Sequence, residues 1–408
     1  MVSLLTLIVI ATLSGNPSGV FSTYTPREYA ATKAPRGYKP FYISHYGRHG
    51  SRYHAYEGYF APGVDALKKA ESAGLLTPRG DSLLADMQKV WDEHKDMYGM
   101  LSPKGAEEHR GVSNRMFHRF RKVFRGKDRR LVRCSSTNFP RTITSMSNFA
   151  TTLKGNNPRL EIEYRTGQRY HDALLTEYVL PESLGEIIDS LLLADCIWDD
   201  LYAGIFSDPA AAGRLVEDPY SFVCSVFETG AICGCVDYLG VDIFKYFSER
   251  ELQALANIRS DLDYSHYGNS LETGDYITPV NWRCLQDIVT RADDALEQGS
   301  NVAADLRFGH DSGIMPLMSL IGIEGNDVRH HVSHSYEQWP SYLEIPMCSN
   351  FQMVFYRNRK GTVLVKMLYN EGETSIPALS SFKGPYYKWE DVRSYFMDRI
   401  EWAQKMLK

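Results

Sequence analysis

The sequence predicts an α/β fold: a mainly parallel central sheet flanked by helices, with an inserted, mainly α-helical cap domain. Three observations predict it. Short runs rich in β-branched and aromatic residues alternate with longer segments whose apolar residues recur every three or four positions. The strand signals fade between about residues 169 and 300, leaving helical patterns alone. Glycine-flanked histidine and arginine motifs follow two of the strand-like runs directly, the place where α/β sheets build ligand sites.

In chain order, residues 2–13 form an uncharged apolar run followed by small and turn-forming residues from Ser14 to Gly19. This reads as a signal peptide over residues 1–22, with a buried N-terminal helix or strand as the plainer alternative. The run is too short to span a bilayer, so a periplasmic or secreted protein is expected, without stable membrane insertion after signal removal. Strands are expected at 40–44, 131–135, 160–164, 302–308, 351–356 and 363–369. Helices are expected at 81–97 and 107–124, and again at 182–199 and 248–263. The core is then discontinuous, 38–168 with 301–408, and residues 169–300 form the cap.

Of the 408 residues, 43% are hydrophobic and 23% charged, which is ordinary globular composition. The formal net charge of −5 argues against general nucleic-acid binding, and no P-loop or dinucleotide fingerprint is present. Seven cysteines leave at least one unpaired within a monomer. Among Cys224, Cys233 and Cys235, one local disulfide is favoured over a metal site, because the spacing lacks a second ligand pair. The histidine groups His45, His49, His54 and His330, His331, His334 likewise lack carboxylates at a metal-motif spacing, and no metal or other cofactor is expected.

The chemistry is concentrated in three motifs. Gly47-Arg48-His49-Gly50-Ser51-Arg52 follows the first strand, where two guanidiniums can fork onto a phosphate while an imidazole faces phosphorus. Gly309-His310-Asp311 ends a later strand and offers a second imidazole to the phosphate and a carboxyl group as proton donor to a departing alcohol. Arg141 stands at the start of an expected helix after the 131–135 strand, a natural phosphate position.

Together, R-H-G-x-R, the later Arg141 and G-H-D beyond a long helical insert resemble the histidine acid phosphatase family over about residues 38–377. Leu101-Ser102-Pro103-Lys104-Gly105 is similar to the family's L-T-x-x-G turn, and residues 346–350 and 363–370 are similar to its inositol polyphosphate phosphatase branch. The resemblance implies that His49 is the nucleophile, that Arg48, Arg52, Arg141 and His310 clamp the phosphate, and that Asp311 protonates the leaving group. It also implies a small phosphorylated substrate, with inositol polyphosphates such as phytate favoured. A broad-specificity acid phosphatase on sugar or alcohol phosphates is the first alternative, and a non-catalytic phosphate-ligand binding protein the second. Two positions depart from the family: Tyr53 stands where proline is frequent, and His310-Asp311-Ser312 replaces the H-A-E of animal-type inositol polyphosphate phosphatases.

A protonated Asp311 suits an acidic medium, or a site that raises its pKa above about 3.9. Arg133 and Arg307 flank the motifs and are equally readable as structural. The cations from Arg119 to Arg130 read first as a solvated helix end, and alternatively as a basic rim attracting a polyanionic substrate.

Overall fold

The computed structural model describes residues 15–126, 129–176, 178–193 and 195–408. The apolar run at residues 2–13 therefore lies outside the described residues, as does the expected signal peptide up to residue 14.

Eight strands form one sheet: β1 (Lys39–Arg48), β2 (Leu131–Ser136), β3 (Glu161–Arg165), β4 (Val302–Gly309), β5 (Asn350–Arg357), β6 (Val363–Tyr369), β7 (Gly372–Thr374) and β8 (Tyr386–Lys388). The order is β3-β2-β4-β1-β5-β6-β7, with β8 also on β6. The six strands expected from sequence are present. The two missed ones are three residues each, too short to show an alternating pattern.

"Mainly parallel" describes half of this sheet. The pairings β3–β2, β2–β4 and β4–β1 are parallel, whereas β1–β5 and all pairings beyond it are antiparallel. For β5, β6 and β7 the reason is connection length: they follow one another through short turns, and only an antiparallel pair can close that way.

Strand alternation sends side chains to two faces. Ile43, Val132, Leu306, Phe308, Val354 and Leu368 pack against the helices Pro103–Arg119 and Pro140–Asn156. Tyr42, Tyr46, Met353, Phe355, Val365 and Met367 pack against the helices Trp282–Leu296, Asp311–Ile321 and Trp389–Met406. Both faces are covered, as a parallel half requires.

The helical layer is assembled from two parts of the sequence. Val64, Leu67, Leu83 and Met87 of the helices Ala61–Ser72 and Pro78–His94 share one apolar cluster with Leu201, Ile205, Phe222, Val226 and Leu255. In contrast Cys284, Leu285 and Ile288, inside the 169–300 insertion, pack with the sheet. Packing thus crosses the expected division at 169 and 300: the helices Ala61–Ser72 and Pro78–His94 pack with helices of the insertion, and the insertion's last helix packs with the sheet. The stretch Pro219–Leu239 is long and apolar enough to cross a membrane, but 67% of its most apolar window is buried among these helices.

No disulfide links the seven cysteines, so the local bridge expected among Cys224, Cys233 and Cys235 is absent. Cys233 and Cys235 instead direct their thiols at the carbonyls of Thr229 and Phe21.

Candidate active site

The parallel half of the sheet brings the three motifs together. Arg48 and Gly309 are register partners at the ends of β1 and β4, so His49 and His310 emerge side by side. Their rings are 5.5 Å apart and edge-on. Arg141 is the second residue of the helix Pro140–Asn156 that follows β2, the strand beside β4. Every sequence-predicted site residue therefore lies at one end of three adjacent strands.

The backbone of the first motif is held from several directions. Arg48 N–H donates to Ser349 O (2.8 Å) and His49 N–H to Gly309 O (2.9 Å). Beneath them, Gly50 and Gly105 lie back to back: a Cβ on Gly50 would stand 2.5 Å from Gly105 O, and one on Gly105 would stand 2.2 Å from Ser51 O. The glycine of the L-S-P-K-G turn is thus explained by close backbone approach. Glu108, one turn further along that helix, accepts from Ser51 N (2.7 Å), Ser51 Oγ (2.8 Å) and Tyr24 N (2.9 Å). At the departing position, Tyr53 N–H donates to Met100 O (2.9 Å), a bond that proline could not make.

His49 is 1% exposed, and its Nδ1 lies 2.9 Å from Gly50 O. A carbonyl only accepts, so Nδ1 carries the proton and Nε2 keeps its lone pair. Burial, then Arg141, Arg48, His310 and Arg52, hold the His49 pKa well below its usual value. The ring therefore stays neutral in mild acid, the state a nucleophile needs.

Near it, Arg48, Arg52 and Arg141 each leave a buried Nε–H without a partner among the described residues. Unpaired buried donors are rare in folded proteins, and three arginines whose charges act on one imidazole suit an anion. Their other contacts set them apart. The Nη1 of Arg48 donates to Val20 O and Ile345 O, both at 2.7 Å, and its Nη2 to Asp311 Oδ2 at 2.7 Å. Arg52 lies over the Phe21 ring at 5.1 Å, and Arg141 over the Phe139 ring at 4.7 Å. Burial, with Arg52 and Arg48 nearby, pulls the Arg141 pKa down to about 10 despite the Asp311 charge.

His310 is 3% exposed and its contacts fix its tautomer. Thr137 Oγ1 already donates to Thr142, so it accepts from His310 Nε2 (2.9 Å), and Nδ1 accepts from Arg141 Nη2 (3.2 Å). In this state the imidazole holds Arg141 in place, and its one proton faces Thr137. The sequence expectation that His310 donates to phosphate is met only after the ring turns or Nδ1 gains a proton.

Asp311 departs from expectation more sharply. Burial alone raises its pKa, but Arg48, His310, the Ser312 N–H and Arg52 outweigh burial and leave it at about 2. These partners therefore hold this carboxyl ionised, opposite to the raised value that a proton donor would want. From the helical layer, Tyr178 and Tyr267 meet the same charge: burial and Asp311 push the Tyr178 phenol up, and Asp311 and burial push up that of Tyr267.

Arg133 and Arg307 are structural. The first is locked onto Asp305 by two bonds of 2.7 and 2.6 Å, the second onto Asp287 at 2.7 Å and Ser44 at 3.0 Å. The cations around Arg121 and Arg125 precede β2 and so lie at the opposite end of the sheet, which removes them as a rim of this site.

Sequence reasoning missed the N-terminal strap. Val20 and Phe21 are each 4% exposed, and Val20 N–H donates to Asp263 (3.3 Å) while its carbonyl takes Arg48. Phe21 is stacked between Arg52 at 5.1 Å and Arg259 at 5.0 Å, and Arg259 pairs with Glu228 and Asp263. The strap therefore ties helical layer to core beside His49. No local pattern announces such contacts.

No protein-family model matches the chain, and no curated protein matches it. Solved structures do. A multiple inositol polyphosphate phosphatase from Bifidobacterium longum, in complex with inositol hexasulfate, superposes with a TM-score of 0.76 at 18% identity, covering 93% of this chain and 97% of that one. The chain shares its fold. The phytase from D. castellii gives 0.68 at 15% identity over 94% and 84%, and Hafnia alvei phytase with myo-inositol hexakis sulphate gives 0.56 at 12% over 91% and 99%. The fold that the motifs implied is the fold these structures have.

Proposed function

We propose that this chain is a phosphomonoester hydrolase working through a phosphohistidine, with inositol polyphosphates such as phytate as favoured substrates. The observation that carries the reading is the trio of unpartnered, buried arginine Nε–H groups around a neutral His49 whose Nε2 is unprotonated. A transferring phosphoryl group spreads negative charge over three equatorial oxygens, and fixed cations stabilise it without rearranging. The neighbours in fold space support the substrate class: one is named an inositol polyphosphate phosphatase and two are phytases.

In the first step His49 Nε2 attacks phosphorus in line, the P–O bond to the alcohol breaks, and Asp311 gives its proton to the leaving oxygen. Water then attacks phospho-His49, Asp311 takes a proton from it, and inorganic phosphate leaves. Asp311 must first be protonated, and in this reading the substrate brings that about. A phosphate dianion competes for Arg48 and adds like charge beside the carboxylate, and both effects raise its pKa. Tyr178 and Tyr267 stand on the same side and can hydrogen-bond the rest of the substrate.

The expected export carries one revision. Removal of residues 1–22 would take away the carbonyl that holds Arg48 and the ring under Arg52. We therefore place any cleavage before Gly19, and keep a periplasmic or secreted location.

The test is phosphate release from phytate and from p-nitrophenyl phosphate, in chelator, for the native chain and His49→Ala. Release from phytate that is lost in the variant supports the proposal. Preference for the small ester points to a broad acid phosphatase, and phytate binding without release points to a binding protein.

A further inference from the structure

The far end of the sheet carries a second concentration of cations that the active site does not use. Three surface depressions run into one another there. The first is lined by Arg36, Lys39, Arg357, Arg359 and Lys360. The second shares Lys39 and adds Arg121, Lys122 and Arg125. The third shares Arg125 and adds Arg130 and Arg159. Among the described residues no aspartate or glutamate lines any of the three, in a chain whose net charge is −5. Arg36, Lys39, Arg121, Lys122 and Arg125 are exposed, and none has a carboxylate among the described residues within ion-pair distance. On the rim, Arg129 meets Glu161 at 3.4 Å.

Cations dispersed over a surface are ordinarily interspersed with carboxylates, because like charges repel at the spacing of neighbouring side chains. Ten cations arranged in sequence along one track, with no carboxylate among its described lining residues, concentrate field in a concave path. Seven of the ten are arginines, whose planar fork fits sulfate and phosphate oxygens in pairs. Among the described residues the lining contains no aromatic side chain on which bases could stack, and no large apolar side chain to enter a bilayer.

The geometry points to a binding track for an extended, base-free polyanion: a linear polysaccharide bearing sulfate or phosphate groups. Occupancy of the track would tether the protein to an anionic matrix while leaving the other end of the sheet open to substrate. Lys39 opens β1 and Arg48 closes it, so ten residues of strand, about 30 Å, separate track from active site.

The probe is a heparin decasaccharide, titrated at physiological ionic strength against the native chain and against Arg121→Ser/Lys122→Ser/Arg125→Ser. Melting temperature and p-nitrophenyl phosphate turnover are followed as folding controls. The native chain is expected to bind, and the triple variant to bind about tenfold or more weakly, with the slope of log affinity on log salt reduced by about three. Turnover is expected to be the same for both chains, and unaffected by the oligosaccharide. A second triple variant, Arg36→Ser/Arg359→Ser/Lys360→Ser, is expected to weaken binding likewise. Undetectable binding, unchanged affinity in both variants, or competitive inhibition of turnover would overturn the proposal. Tighter binding to single-stranded DNA or to anionic vesicles would overturn the choice of partner.

Discussion

One strand joins two basic regions that do opposite things with their charge. β1 begins at Lys39, among exposed cations, and ends at Arg48, a guanidinium with no exposed surface. At the exposed end the charges are solvated, so each acts weakly and at long range. At the buried end the dielectric is low, protonation of His49 is suppressed, and three arginine Nε–H groups stand without partners. The difference teaches that burial with incomplete satisfaction makes an anion-reactive site, whereas cation count alone makes an attractive surface.

The comparison can be broken most directly at His49. His49→Ala is expected to lower kcat on the order of 10⁴-fold or more, since loss of a nucleophile disables the whole arrangement. Measured phosphate release within tenfold of the native chain would place the chemistry elsewhere. Next in size is Arg141→Ala, where loss of one preorganised donor is expected to reduce kcat/KM by about 10²- to 10³-fold. The same substitution at Arg125 is expected to leave turnover unchanged, and a comparable loss at both would erase the distinction between the two ends.

Asp311→Asn sharpens the account of the buried end by leaving group. With phytate, whose alcohol needs a proton, kcat should fall about 10²- to 10⁴-fold. With p-nitrophenyl phosphate, whose phenolate leaves unaided, the first step should be nearly spared, so that the phospho-enzyme accumulates. Equal losses on both substrates in single-turnover measurements would remove Asp311 as the donor.

Burial also sets an acid limit on stability. His45, His109 and His310 are held at about 3, and His54 and His94 at about 4, chiefly by burial. These are folded values below an unfolded value near 6.5, so the unfolded chain takes up protons that the native chain refuses. Stability is then expected to fall as pH drops from about 6.5 toward 4, each histidine contributing up to about 1.4 kcal/mol per pH unit. Asp311 acts in the same direction but further into acid, its stabilisation being lost only below about pH 4 as the pH falls through its folded value of about 2. Melting temperatures that rose on acidification from pH 6.5 to 4.5 would contradict this. The smallest effect concerns the strap: a chain beginning at Thr23 should lose about ten- to a hundredfold in kcat/KM relative to one beginning at Gly15, the worth of one hydrogen bond to a buried charge. Equal activity would show that Val20 and Phe21 are packing alone.

Much of the site was legible because its chemistry is local. Arg48, His49 and Arg52 are contiguous, His310 and Asp311 are adjacent, and glycines mark both turns, so strand and motif could be read together. What escaped was whatever depends on distant segments meeting. Val20, Glu108, Glu228 and Asp263 reach the site only through the fold, and nothing in their own neighbourhoods distinguishes them. The antiparallel half was hidden for a related reason: an apolar run reads the same in either direction, and only the short connections after residue 357 could have revealed it. Asp311 shows a third limit, since its ionisation follows from the partners of Arg48 and not from the residue type.

The central claim is that phosphorus passes through His49, and a covalent intermediate tests it most directly. Asp311→Asn would be mixed with p-nitrophenyl phosphate, quenched in alkali where phosphohistidine survives, and digested for mass spectrometry. The account predicts phosphate on the peptide carrying His49, at Nε2, appearing with the first turnover of p-nitrophenol. Release of p-nitrophenol with no phosphate on that peptide would contradict it.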